Sequence, residues 1–147
     1  MKLKIVWIGK TKDPAIQSLT AEYLKRLSRF AEVEGLSLAD EAAVLKLREK
    51  TGSHPAHALV LLDSKGKQLT SEEFAVFFQN HQDRNPQPLA LAIGSADGFS
   101  PDALKSARTV LSLGKMTIAH ELARIVLLEQ VYRAFTILNG HPYHTGH

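Results

Sequence analysis

The stretch ALVLLD, residues 58–63, is apolar from its first residue to its fifth and ends on a carboxylate. A strand with one solvent-facing side alternates apolar and polar residues, whereas a strand buried on both faces is continuously apolar. The length and composition of this stretch therefore predict a buried strand of a parallel sheet. The stretch LALAI, residues 89–93, has the same character and predicts a second such strand.

Helix and strand signals alternate outward from these two strands. Asp13 and Ser100 each precede a proline, Thr70 and Glu73 have the spacing of a capping box, and Asp40 is a further candidate cap. The predicted helices cover about residues 14–30, 41–50, 71–80, 101–108 and 119–139, and the remaining predicted strands cover residues 2–8, 32–38 and 109–113. We expect an α/β fold with a mostly parallel sheet covered by helices on both faces, in a single domain over residues 1–147.

The composition sets limits on the class of protein. The chain has 147 residues, of which 44% are hydrophobic, enough for one domain with a substantial core. Its formal net charge of +3 favours a polyanionic partner without requiring one. Because there is no cysteine, disulfides, thiolate metal sites and cysteine nucleophiles are excluded. No apolar run approaches the roughly 20 residues of a membrane span, so we expect a soluble cytoplasmic protein.

Three short motifs resemble known sites but lack a required feature. GKT, residues 9–11, resembles the end of a phosphate-binding P-loop, yet the upstream glycine position holds Lys4. HELAR, residues 120–124, begins like the helix of a zinc protease, yet the second histidine position holds Arg124. IGSADG, residues 93–98, does not have the glycine spacing of a dinucleotide-binding loop. The simpler interpretation of GKT is a glycine that ends a strand.

Histidines recur near the end of the chain. His141, His144 and His147 lie three residues apart and offer imidazole ligands to a transition metal. A chain end of this kind is more often a flexible or docked tail. We expect that the activity of the protein requires no metal.

Two polar loops follow predicted strands and so lie at the same edge of the predicted sheet. These are IGSADG, and LSLGKMTIAH at residues 111–120. In open α/β sheets, ligands bind in the crevice beyond the carboxyl ends of the strands. The two loops together favour a single crevice for a nucleotide-like ligand.

The last predicted helix is apolar on more than one side. One stripe runs through Leu122, Ile125, Tyr132 and Phe135, and another runs through Leu127, Leu128, Val131 and Leu138. One stripe is sufficient to cover a sheet, and the second requires another apolar surface. A helix buried on all sides within one chain is the alternative, but 147 residues leave little material to surround it. We therefore expect a homodimer.

The motifs together resemble one known family. LLDSKGKQLTSEEFA, IGSADGFS, LSLGKMTIAHELARIVLLEQVYRAF and GHPYH are similar to the corresponding segments of the RlmH family, ribosomal large subunit methyltransferase H, within the SPOUT superfamily. The similarity runs from KLKIVWIGK to His144. The resemblance implies a homodimer of α/β subunits with a deep C-terminal trefoil knot. It also implies binding of S-adenosylmethionine in the knot and methylation of N3 of a pseudouridine in helix 69 of 23S ribosomal RNA, in assembled ribosomes.

The resemblance also assigns site residues. The implied cofactor-binding residues are Leu62, Gly94, Ser95, Leu113, Gly114, Lys115, Met116, Thr117 and Ile118. The candidate catalytic residues are His120, His141, Tyr143 and His144, because histidine accepts a proton near neutral pH and tyrosine stacks on a splayed base. Arg124 and Arg133 are candidate contacts to RNA phosphates. Alternatively, His120 caps or packs the helix, and the two arginines pair with Glu121 and Glu129.

A second class of function also agrees with the sequence. A binding module associated with the ribosome or with RNA would keep the fold without turnover, and cofactor binding would separate it from an enzyme. A different α/β nucleotide enzyme is disfavoured, because the P-loop and dinucleotide motifs are missing. The chain departs from the family pattern at Ser95, Gly114 and Ala119, and TGH, residues 145–147, extends past the usual family end.

Overall fold

The computed structural model describes residues 1–85 and 87–145 of the chain. The strands are β1 (Lys2–Ile8), β2 (Glu32–Leu38), β3 (Ala58–Gln68), β4 (Leu89–Ile93) and β5 (Thr109–Ser112). The helices are α1 (Pro14–Leu27), α2 (Glu41–Leu45), α3 (Ser71–Arg84), α4 (Pro101–Ser106) and α5 (His120–Leu138), with 3₁₀ turns at Lys46–Arg48 and Pro142–His144. Among the described residues, no helix is long and apolar enough to cross a lipid bilayer.

The five strands form one sheet in the order β2-β1-β4-β3-β5, and all pairings between them are parallel. Leu27 of α1, Phe78 of α3 and Leu127 of α5 belong to one buried cluster. Val44 of α2 and Ala103 of α4 belong to a second cluster on the other side. The predicted α/β class, with helices on both faces of the sheet, is confirmed.

The two continuously apolar strands are buried because their alternate residues face different clusters. In β4, Leu91 belongs to the cluster with α1, α3 and α5, whereas Ala90 and Ala92 belong to the other. Val60 and Leu61 of β3 divide in the same way, and all five residues are at most 2% exposed. Burying a branched aliphatic side chain contributes about 1.5–3 kcal/mol relative to leaving it exposed. Neither face of these strands can therefore be turned to solvent without a large loss of stability.

The predicted helix starts are confirmed at all four caps. The side chains of Asp13, Asp40, Thr70 and Ser100 each accept a backbone N–H from the first turn, and Glu73 closes the capping box. Three helices end earlier than predicted, because α1 and α2 close with i→i+3 hydrogen bonds and α4 turns directly into the extended chain before β5.

Strand β3 continues past Asp63, where the sequence predicted its end. Its register with β5 shifts between Leu62 and Lys67, and both of these residues pair with Leu111. The chain of β5 therefore lies directly against the segment between those two residues, and a Cβ on Gly66 would be 2.6 Å from the carbonyl carbon of Leu111. The trefoil knot stays a prediction, and this tight backbone approach agrees with it.

Helix α5 packs against both α1 and α3. Tyr132 and Phe135, which the sequence placed on a separate stripe from Leu127, are buried together with it and are at most 8% exposed. At these residues the alternative of a helix buried within one chain is realised, because rings from outside the helix, such as Phe30 stacked on Phe135, cover that side. The homodimer stays a prediction. Leu122, near the start of α5, is a large apolar side chain that stays 53% exposed.

Candidate functional site

A cavity of about 320 Å³ opens beside the part of β3 where its register shifts, at the edge of the sheet where β4 and β5 end. Residues 62–65 of β3, the loops that follow β4 and β5, and the start of α5 enclose it. Its size lies in the range of small-molecule and cofactor sites, about 300–1,000 Å³. Of the predicted cofactor residues, eight line this cavity: Leu62, Gly94, Ser95, Leu113, Gly114, Met116, Thr117 and Ile118. The ninth, Lys115, is exposed and is not in the cavity wall.

The loop after β4 turns tightly between two glycines. The backbone N–H of Gly98 donates to the carbonyl oxygen of Ser95 at 2.9 Å. Gly98 has φ +76°, in the left-handed region that favours glycine. A Cβ on Gly94 would lie 3.1 Å from the carbonyl carbon of Gly98. A side chain at Gly94 would press on the backbone of Gly98, and another residue at Gly98 would be strained. At these two positions a ligand meets backbone that carries no side chain.

The loop after β5 is held by a side chain of its own strand. The hydroxyl of Ser112 accepts the N–H of Gly114 at 3.0 Å and donates to the carbonyl oxygen of Gly114 at 2.9 Å. Gly114 has φ +143°, which again favours glycine. Met116, two residues further on, is 84% exposed. The loop therefore places a large apolar side chain in solvent beside the cavity.

Polar side chains that the sequence did not single out also line the cavity. These are Asp63, Ser64, Lys65 and Asp97. The carboxylate of Asp63 accepts the backbone N–H of Lys65 at 2.9 Å, which fixes its position in the wall. Its place directly after the apolar run was a usable signal, because the carboxyl ends of parallel strands meet at one edge. Leu104 of α4 also lines the cavity, and no local pattern marks it.

His120 is the first residue of α5 and lies in the cavity wall. The capping position of the helix is held by Ala119, and no side chain caps the helix there. The alternative that His120 caps α5 is therefore not realised. Within the described part of the chain, His120 is the one imidazole in the cavity wall.

Arg124 is buried, contrary to its predicted role as an RNA contact. It is 0% exposed, and its guanidinium donates to the Thr11 hydroxyl at 2.6 Å and to the carbonyl oxygens of Ile8 and Gly9 at 3.2 and 3.3 Å. It also lies 5.5 Å from the centre of the Trp7 ring. Burial lowers the pKa of the guanidinium. A phosphate cannot reach this group without displacing the loop above it, so the assignment is corrected to a structural one.

Arg133 belongs to a group of five polar side chains that we call the tail cluster: Glu72, Glu129, Arg133, Tyr143 and His144. Arg133 donates to both carboxylate oxygens of Glu129, at 3.2 and 3.1 Å, which realises the predicted alternative of an ion pair. The Tyr143 hydroxyl donates to the same carboxylate at 2.8 Å. A second amino group of Arg133 lies 3.0 Å from Nδ1 of His144, whose Nε2 is 2.7 Å from Glu72.

These contacts fix the protonation of two groups in the tail cluster. A guanidinium has no acceptor, so Nδ1 of His144 accepts from Arg133 and the ring proton sits on Nε2, which donates to Glu72. Burial, and then the hydrogen bond to Glu129, raise the pKa of Tyr143. Tyr143 is therefore a hydrogen-bond donor near neutral pH and not a base.

The residues predicted for the RNA side lie away from the cavity of their own chain. None of Arg133, His141, Tyr143 and His144 is in its wall. A second cavity of about 290 Å³ adjoins the first, with Leu62 and Leu113 in both walls. Gln130 lines this second cavity, accepts the Ser71 hydroxyl at 2.8 Å and lies 3.5 Å from Glu129. Gln130 therefore connects the tail cluster to the wall of the second cavity, which no residue of the cluster itself lines.

The tail histidines have partners within the chain. Nδ1 of His141 accepts the backbone N–H of Tyr143 at 3.2 Å, and His144 belongs to the tail cluster. His147 lies outside the described residues. Within residues 1–85 and 87–145 there is no group of three or more side chains arranged to hold a metal ion.

The sequence of the chain is similar to known proteins along its whole length. The family model described as "Predicted SPOUT methyltransferase" matches residues 1–144. A ribosomal RNA large subunit methyltransferase H from Koribacter versatilis is 59% identical over 147 residues, covering 100% of both chains. The protein of the same name from Gloeobacter violaceus is 43% identical over 155 residues, covering 99% of this chain and 100% of the relative.

Solved structures share the fold at low identity. A probable methyltransferase from Bordetella pertussis superposes with a TM-score of 0.59 at 10% identity, covering 91% of this chain and 94% of that one. The SpoU methyltransferase AviRb from Streptomyces viridochromogenes, solved in complex with its cofactor AdoMet, gives a TM-score of 0.54 at 13% identity, covering 95% and 59%. The match to the family model over residues 1–144 and the high identity to curated relatives place this chain in the SPOUT methyltransferase family.

Proposed function

We propose that this protein is an S-adenosylmethionine-dependent methyltransferase that modifies large-subunit ribosomal RNA, at N3 of a pseudouridine in helix 69 of 23S RNA within assembled ribosomes. The observation that carries the proposal is the cavity between β3 and the ends of β4 and β5, which gathers eight of the nine predicted cofactor residues. The chain is also 59% identical to a relative named for this class of reaction. Because ribosomes are its substrate, the enzyme works in the cytoplasm.

The cavity suits the cofactor by size and chemistry. Leu62, Leu113 and Ile118 offer apolar contact to an adenine ring, and Gly94 and Gly98, which carry no side chain, allow close approach of the backbone. The carboxylate of Asp63, fixed by the Lys65 N–H, offers an acceptor for hydroxyl or amino groups. S-adenosylmethionine supplies an electrophilic methyl group when bound.

The chain's own contribution to the reaction is positioning and proton handling. An in-line transfer needs the ring nitrogen of the base held close to the methyl carbon, and effective positioning of this kind contributes several kcal/mol to catalysis. The nitrogen also loses a proton. His120 is suited to accept it, because it lies in the cavity wall and imidazole titrates near neutral pH.

The base and its flanking phosphates meet the tail cluster. Arg133 and His144 supply cationic and hydrogen-bonding groups, and the Tyr143 ring offers a stacking surface. These groups do not line the cavity of their own chain. In a homodimer the tail of one subunit completes the cavity of the other, and the exposed Met116 and Leu122 beside that cavity supply apolar surface for the partner.

Two measurements test the function. Calorimetry with S-adenosylmethionine should show binding to the purified protein, and radiolabelled methyl should be transferred to ribosomes that lack the modification in preference to free RNA. Binding without transfer to any ribosome or RNA would support a non-catalytic binding module. If calorimetry showed no heat of binding at millimolar cofactor, the proposal of a methyltransferase would fail. If the label were found on a base other than pseudouridine, the proposed substrate would be wrong.

A further inference from the structure

The segment between β1 and α1, residues 9–13, carries the GKT motif that does not form a P-loop. We call it the lysine segment, because Lys10 and Lys12 lie within it. It leaves β1 at Gly9, whose φ of +89° turns the chain and whose N–H donates to the carbonyl oxygen of Leu38 at 2.9 Å. It ends at Asp13, which caps α1. Both ends of the lysine segment are therefore anchored to regular structure.

The first turn of α5 holds the middle of the lysine segment. The buried guanidinium of Arg124 donates to the Thr11 hydroxyl at 2.6 Å and to the carbonyl oxygen of Gly9 at 3.3 Å. The carboxylate of Glu121 accepts the backbone N–H of Lys12 at 2.9 Å and that of Asp13 at 3.3 Å. Four positions of a five-residue loop are thus tied to one helix.

The lysine side chains themselves are not used by the fold. Lys10 and Lys12 are exposed, and within residues 1–85 and 87–145 neither ammonium makes an ion pair or a hydrogen bond. Beneath them Arg124 is fully buried and touches no carboxylate in that part of the chain. The nearby carboxylates of Glu121 and Asp13 accept backbone N–H groups. The three cations outnumber the two carboxylates, so the local net charge is positive.

The lysine segment lies at the same edge of the sheet as the candidate cofactor cavity. β1 and β4 are neighbours in parallel register, with Trp7 opposite Ile93, so the chain leaves β1 beside Gly94. The turn of α5 that holds the segment also supplies His120 and Ala123 to the cavity wall. A polyanion that presents a group to the cavity therefore passes over this edge.

We infer that Lys10 and Lys12 form a phosphate-contacting surface for the RNA substrate, held in position by Arg124 and Glu121. The inference rests on the proposed function, because the polyanion is RNA only if RNA is the substrate. Fixing the backbone lowers the entropy lost when the lysines engage phosphates. Contacts of this kind position the RNA and carry no sequence information.

The test compares two double variants with the same change in net charge. Lys10→Ala/Lys12→Ala removes the proposed contacts, and Lys2→Ala/Lys50→Ala removes two exposed lysines elsewhere, one of them at the opposite end of β1. Binding to unmodified ribosomes and to a helix 69 stem-loop is measured by filter retention across a salt series. The slope of log affinity against log salt should fall by about 1 for each lysine of the segment, and the affinity near 0.1 M salt should fall roughly tenfold. The control should follow the wild type.

Each outcome bears on one proposal only. If the Lys10/Lys12 variant and the control gave the same salt slope, the surface would serve another partner, such as an acidic protein, and the inference would fail. If the Lys10/Lys12 variant lost cofactor affinity in calorimetry, the segment would belong to the cofactor site and the inference would fail again. Absence of methyl transfer by the wild type would sink the proposed function, while the salt slopes would still decide whether this surface contacts RNA.

Discussion

At the scale of single residues, the shape of the cavity depends on two glycines at which a side chain would cause strain. The position of a Cβ on Gly94 lies 3.1 Å from the Gly98 carbonyl carbon, and Gly98 itself has a positive φ. Backbone neighbours cannot give way as the end of a flexible side chain can. The shape of this wall therefore depends on the absence of a Cβ at both glycines.

Gly94→Val should abolish cofactor binding while leaving the chain folded. The branched side chain would push the Gly98 backbone away from Gly94, which opens the tight turn after β4 and changes the shape of the wall. Calorimetry with S-adenosylmethionine is the measurement, with Ala42→Val, at an exposed position of α2, as the control. Unchanged affinity in Gly94→Val would show that this wall does not touch the ligand.

Glu121→Gln should change how stability depends on pH. The N–H groups of Asp13 and Lys12 hold the pKa of Glu121 below its ordinary value of 4.5. A carboxyl group whose folded pKa is depressed stabilises the protein above its unfolded pKa, and that contribution is lost as the pH falls through the folded value. The wild type should therefore be the more stable at pH 7, and its advantage should shrink below about pH 4.5. Urea midpoints at several pH values measure this, and a gap that stays constant with pH would contradict it.

At the scale of elements, two contacts join parts of the chain that are distant in sequence. Strand β5 lies against the bulged part of β3, where both Leu62 and Lys67 pair with Leu111. The turn after α5 returns to that helix and to the start of α3 through the tail cluster. The first contact includes Leu62 of the cavity wall, and the second arranges the groups proposed to meet RNA.

Gly66→Ala should destabilise the protein by about 3 kcal/mol, since a Cβ there would lie 2.6 Å from the Leu111 carbonyl carbon and overpacking of this kind costs 1–3 kcal/mol or more. Urea unfolding measures the loss. Lys67→Ala, an exposed neighbour in the same strand, should change stability by less than about 0.5 kcal/mol. Equal free energies of unfolding for the two variants would mean that β3 and β5 can move apart at Gly66 without loss of stability.

Tyr143→Phe, His144→Ala and Arg133→Ala should each lower methyl transfer roughly tenfold or more while leaving cofactor binding nearly intact. Each variant removes a hydrogen bond to a charged partner, worth about 1.5–3 kcal/mol, from a cluster outside the cavity wall. Single-turnover transfer to ribosomes and calorimetry with the cofactor separate the two effects. A parallel loss of cofactor affinity in all three would show that the tail cluster serves the cofactor.

At the scale of the whole molecule, apolar surface remains uncovered beside the cavity. Leu122 is 53% exposed and Met116 is 84% exposed, and both lie near the start of α5. Most of α5 is buried within its own chain by the sheet, α1 and α3, so the surface left for a partner is narrower than the sequence suggested.

Leu122→Asp should convert a dimer into a monomer and reduce methyl transfer, because a charge at an apolar interface is costly to bury. Light scattering measures the mass, with twice 16.2 kDa expected for the wild type and 16.2 kDa for the variant. Ala42→Asp, which places the same charge on α2 at the other face of the sheet, should remain dimeric. A wild-type mass of 16.2 kDa at micromolar concentration would refute the dimer.

The sequence by itself determined the α/β class, the four helix caps and the loops of the cavity. Each of these depends on neighbours in the chain: an apolar run such as ALVLLD must be buried, a cap bonds residues within one turn, and parallel strands end at the same edge. Only the tertiary structure decided that Arg124 is buried, that β3 continues past Asp63 and that Leu104 reaches the cavity. These depend on which distant segments meet, and the burial of a side chain is set by the partners that surround it rather than by its own type.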